Sequence, residues 1–77
     1  MDKVIEITNR AVADYGFRQA VIYGSADIAL RWGLTAPEQE ALEGMAVELL
    51  SALPIPVPPE DVAVEQSRLE ALIRATR

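Results

Sequence analysis

The sequence predicts an all-α fold: one compact domain of four to five short helices, with a proline-rich extended segment before the last. Three observations point there. Apolar residues recur at three- and four-residue spacing along most of the 77-residue chain. Helix-start and helix-stop residues punctuate that pattern at short intervals. No strand-like alternation of useful length occurs.

The first helix is expected over about residues 3–14, with Asp2 as its cap. Val4, Ile5, Thr8, Ala11 and Val12 follow helical spacing, and Tyr15-Gly16 reads as the stop. A short second helix runs from Phe17 to Tyr23, broken by Gly24-Ser25. Ser25 is a suitable N-cap for a third helix ending at Trp32, and Gly33 suits the left-handed position after it. Thr35 and Glu38 have the spacing of a capping box, with Pro37 in the first turn, where a missing N–H breaks no helical bond.

The fourth helix is expected over 36–53. Leu42, Met45, Ala46, Leu49, Leu50 and Leu53 form one apolar stripe. Its outer face carries Glu38, Glu40, Glu43 and Glu48, with no Lys or Arg. Gly44 sits mid-helix, either allowing a close helix approach or simply tolerated. Four prolines in residues 54–59 then impose a polyproline-like strap, whose Ile55 and Val57 are too apolar for a solvated linker. Pro59-Glu60-Asp61 opens the last helix, with stripe Val62, Leu69, Leu72 and Ile73. Its acidic first turn and the terminal Arg74 and Arg77 suit the helix dipole. The division expected is a helical core over 1–53, a strap over 54–59 and a C-terminal helix over 60–77.

Composition narrows the chemistry. Cysteine and histidine are both absent, which removes disulfides, thiolate nucleophiles, imidazole bases and the commonest metal ligands. The carboxylate pairs Glu38 with Glu40 and Glu60 with Asp61 fall on solvent faces or helix starts, and no calcium-loop spacing appears. Ser25 and Ser51 have no histidine to activate them. Tyr23-Gly24-Ser25 lacks the glycines and lysine of a phosphate loop. Neither catalysis nor a cofactor or metal is expected.

A net charge of −5 argues against nucleic acid and anionic membranes. No apolar run approaches a membrane span, and Met1-Asp2-Lys3 does not open a secretory signal, so a cytoplasmic location is expected. A chain this short builds a marginal core, so a protein partner or self-association through the last helix is the expected aid.

The candidate partner-binding residues are Phe17, Arg18, Val21, Ile22, Arg31 and Trp32, with Ile55 and Val57 of the strap as a second surface. Trp and Arg dominate interface energetics, although core packing alone would also account for Trp32, and for Phe17, Val21, Ile22 and Tyr23. Each buried apolar anchor contributes about 1.5–3 kcal/mol by area. The fourth helix's glutamates would steer the chain toward a basic partner.

These residues support a resemblance. Asp14 with Phe17-Arg18, the pair Val21-Ile22, and Gly33-Leu34-Thr35 followed by Glu38 and Leu42 resemble the LigA-type small helical domain. That domain is shared by the α subunit of extradiol ring-cleavage dioxygenases and by leader regions of ribosomal peptide precursors. The resemblance covers about residues 4–53. It implies docking to a larger enzyme, either a ring-cleavage dioxygenase or a peptide-modifying enzyme. Gly24-Ser25 stands where Asp-Pro is typical, and no modifiable tail follows, which favours a discrete accessory subunit over a precursor.

Two alternatives remain. The stretch IPVPPEDVAVEQSRLEALI is similar to the last loop and helix of acyl carrier proteins, with Ala36 where that family carries its attachment serine. Ser25 to Leu34 also reads like the opening of a helix-turn-helix, but the helix that follows offers four glutamates, one glutamine and no basic residue, which would repel phosphates.

Overall fold

Six α-helices make up the computed structural model, which describes residues 1–75. They are α1 (Asp2–Ala13), α2 (Tyr15–Tyr23), α3 (Ser25–Trp32), α4 (Ala36–Ala41), α5 (Val47–Ser51) and α6 (Val62–Ala75). A π-helical segment, Leu42–Ala46, joins α4 to α5 without a break, and a 3-10 turn, Pro59–Asp61, leads into α6. Among the described residues there is no strand. Arg77, expected beside Arg74, lies outside the described residues.

The first three helices follow one another with single-residue junctions. Asp14 ends α1 by donating its N–H to Arg10 O, and opens α2 by accepting from Phe17 N through its carboxylate (3.1 Å). The stop of α1 is therefore Asp14, and Tyr15-Gly16 begins α2 instead of closing α1. Asp14 serves both ends because it is extended (φ −127°, ψ 104°) and carries an acceptor short enough to reach back to the new helix. Gly24 has the same double role: its N–H bonds Ala20 O and its carbonyl accepts from Ile28 N. A Cβ there would lie 3.0 Å from Ala20 O, so the tight junction favours glycine. Gly24 takes the cap position expected of Ser25, which becomes the first helical residue. Asp2 likewise lies inside the first turn of α1, with Met1 as its cap residue.

At the next corner Gly33 is left-handed (φ 65°), ending α3. The capping box is complete: Glu38 N donates to Thr35 Oγ1 (3.3 Å) and Thr35 N donates to Glu38 Oε1 (2.8 Å). Glu38 is thus a capping group, also 3.7 Å from the Met1 ammonium, and not a free charge on the outer face. Its pKa is held below the ordinary carboxylate value, chiefly by the Thr35 N–H, with help from the Met1 ammonium and Lys3.

One buried cluster spans the molecule. Val4, Ile7, Ala11 and Val12 of α1 share it with Val21, Ala29, Leu42, Ala46, Leu50, Leu53, Val57, Leu69 and Ile73. Helix α1 packs against α2, α4, α5 and α6, so the first helix is the hub. Helix α6 is no appendage to a 1–53 core, because Leu69 and Ile73 are sealed within that same cluster. Polar ties reinforce this packing: Gln66 Nε2 donates to Asn9 O (2.8 Å), and Asn9 Nδ2 donates to Glu70 Oε1 (3.5 Å). Gly44 faces open space within 4 Å of where a Cβ would stand, so no helix approaches it closely. No helix among the described residues is long and apolar enough to cross a membrane.

Candidate functional site

The candidate site is a groove between α2 and the segment that leaves α5. Tyr15, Arg18, Gln19, Ile22 and Tyr23 form one wall; Leu50, Ser51, Leu53 and Ile55 form the other. Its volume is about 140 Å³. Residues 15, 18, 19 and 22 fall on one face of α2 because side chains three and four apart are neighbours on a helix. The opposing wall exists because α5 ends at Ser51 and the chain turns into the strap, which brings Leu53 inward and leaves Ile55 outside.

Arg18 dominates the chemistry of this groove. It is 2% exposed, yet no carboxylate among the described residues forms an ion pair with it. Its Nη2 donates to Pro54 O (3.1 Å), and its guanidinium carbon stands 4.9 Å from the centroid of the Tyr15 ring. Its Nε is buried without an acceptor among the described residues. A buried charge is normally paired or well hydrogen-bonded, because desolvation otherwise costs several kcal/mol or about that order. One carbonyl and one ring face leave this cation under-satisfied. Two other polar groups of the walls are engaged: Gln19 Nε2 donates to Tyr15 Oη, and Ser51 Oγ donates to Val47 O (2.7 Å).

The rim is apolar and open to solvent. Tyr23 is 83% exposed and Ile55 is 69% exposed. Of the two readings open for Tyr23, core or surface, the structure has the surface one: it is the last residue of α2, beside the junction at Gly24.

The eight residues expected to bind a partner therefore separate. Arg18, Ile22 and Ile55 meet at the groove. Val21 is completely enclosed and Val57 is buried, so both belong to the core and offer no surface. Val57 turns inward while Ile55 turns outward, as neighbours two apart in an irregular strap can do. Phe17 is half-buried against the core with Arg10 stacked 4.2 Å from its ring centroid. Trp32 is half-buried against the core and Arg31 pairs with Asp27 (3.1 Å) on α3; neither lines the groove. Tyr15, Gln19, Tyr23, Leu50, Ser51 and Leu53 complete it. The signal for the α2 members was the helical face 15, 19 and 22, which passes beside the core face 17 and 21.

Elsewhere, Leu30 is 80% exposed, and Val64 and Leu72 leave apolar surface on α6. Glu40, Glu43 and Glu48 are exposed on the α4–α5 rod, the element that would face phosphates in a DNA reader. Among the described residues no group of three or more acidic side chains is placed to hold a metal ion. No family model matches the chain, and neither does any curated protein or solved structure.

Proposed function

We propose that this chain is a non-catalytic docking subunit that binds a larger enzyme through the rim and walls of the α2–α5 groove. One observation carries the reading: Tyr23 and Ile55 stand exposed on either side of a groove whose wall includes a buried cation with no ion pair among the described residues. Tyrosine beside an aliphatic residue and a desolvated arginine is the composition that dominates interface energetics. The exposed Glu40, Glu43 and Glu48 add a negative field that favours a basic surface near the docking site. The resemblance to LigA-type domains extends the proposal to the enzyme's class, a ring-cleavage dioxygenase or a ribosomal-peptide-modifying enzyme.

The test is co-expression of the tagged chain with each of those two enzyme classes, followed by titration of the purified pair. A stable complex is expected with one of them. The double variant Tyr23→Ser, Ile55→Ser should bind at least about tenfold more weakly, since each anchor fully covered contributes about 1.5–3 kcal/mol. Both positions are exposed, so circular dichroism and thermal melting should be unchanged. Turnover by the chain alone, or an enzyme complex indifferent to the double variant, would refute the proposal.

A further inference from the structure

We propose that the groove receives the C-terminal residue of a partner polypeptide, its apolar side chain between the walls and its free carboxylate on Arg18. This rests on the docking reading and names what the partner must present.

Three observations lead there. First, the volume suits one side chain. At about 140 Å³ the groove is close to the size of an engineered apolar cavity of about 150 Å³ that holds a single benzene ring. Ile22, Leu50 and Leu53 supply apolar contact. Second, the charge is unmatched among the described residues. Arg18 carries a full positive charge at 2% exposure in a chain of net charge −5, yet none of those residues offers its Nε an acceptor. The two oxygens of a carboxylate fit a guanidinium edge. Third, the wall groups Gln19 Nε2 and Ser51 Oγ already have partners, so Arg18 is the one ionic contact the groove offers.

A C-terminal residue meets all three conditions at once, because its side chain and its carboxylate leave the same Cα. An internal Asp or Glu would place methylenes and charge in line, with no separate apolar group for the walls. A phosphate can also pair with a guanidinium edge, but it brings no apolar group for the walls. Tyr23 and Ile55 are the exposed lip of the groove, where the residues preceding the terminus would cross them. A small free carboxylate would leave that rim uncovered.

The test uses the full chain, isotope-labelled, titrated with acetylated Gly-Ser peptides ending in Leu, Ile, Val or Phe. Each peptide is made as the free acid and as the C-terminal amide. The free acids should shift the amide resonances of α2 and of residues 50–55 and bind at least about tenfold more tightly than the amides. Arg18→Met should erase that preference. Should Arg18→Met fail to fold, the acid–amide comparison on the unaltered chain decides alone. Equal binding of acid and amide, or no response in the groove, overturns the proposal. So does hexanoate binding as tightly as the best peptide, which would mark a small-molecule carboxylate site.

The two readings fail separately. If Tyr23→Ser, Ile55→Ser breaks the enzyme complex while acid and amide peptides bind alike, the docking face stands and the carboxylate site falls. If acid peptides are preferred but the enzyme complex ignores the double variant, the enzyme reading falls.

Discussion

At the scale of single residues, the clearest contrast lies between two glycines. Gly33 sits at φ 65°, a conformation that costs an L-residue about 1–2 kcal/mol. Gly33→Ala should lower unfolding free energy by about 1 kcal/mol on denaturant titration. Gly44 lies in the π-helical segment, with open space where a Cβ would stand, so Gly44→Ala should raise stability by up to about 1 kcal/mol. The capping box invites a second measurement. Thr35→Ala removes the acceptor for Glu38 N and should cost about 1 kcal/mol. The Glu38 carboxylate is held ionised by the Thr35 N–H, so its folded pKa lies below its unfolded one. Its stabilising contribution is complete above the ordinary value of 4.5 and is lost as pH falls through the depressed folded value. Glu38→Gln keeps an acceptor at that position but cannot titrate. Its stability should therefore decline less steeply than the parent's between pH 5 and 3, a difference that paired urea melts would show.

At the scale of elements, the rod 36–51 shows how a core row is kept on one side. Leu42, Ala46 and Leu50 are all fully buried at four-residue spacing. A regular α-helix turns about 400° in four residues, so such a row drifts by about 40° at each step. The wider π turn at Leu42–Ala46 winds more slowly and reduces that drift. Helix α6 carries the other lesson at this scale. Its Leu69 and Ile73 are sealed in the core, and Gln66 and Glu70 hydrogen-bond α1 through Asn9. Deleting residues 60–77 should therefore unfold the chain, seen as loss of cooperative melting, instead of merely dissolving an oligomer. Leu69→Ala alone should cost about 2–5 kcal/mol, a large share of the stability of so small a domain. Self-association through α6 is better probed at the exposed Val64 and Leu72, where substitution by Ser leaves the core intact.

At the scale of the whole molecule, helix identity and order were legible in the sequence because the signals are local. The capping box at Thr35, the left-handed Gly33 and the apolar stripe of 42–53 each depend on residues within about one helical turn or on a simple period. Other features escaped those signals. Asp14, and not Tyr15-Gly16, separates α1 from α2, because an extended residue with a short acceptor can serve two helices. The groove was half legible. Arg18, Ile22 and Ile55 were among the expected contacts, but Val21 and Val57 went to the core and Tyr23 to the surface. On a nine-residue helix with apolar groups nearly all round, periodicity does not say which face the neighbours will cover.

The helical class, the corner at Gly33-Leu34-Thr35, the proline strap and the lack of thiols and imidazoles follow from composition or from neighbouring residues, so they can be read along the chain. It took the packing of distant segments to put α6 in the core and to bury Arg18, with no counter-ion among the described residues, beside an exposed tyrosine and isoleucine. Those outcomes depend on which distant surfaces meet. Pro54 stands 36 positions from the arginine it accepts from, and no local pattern encodes that encounter.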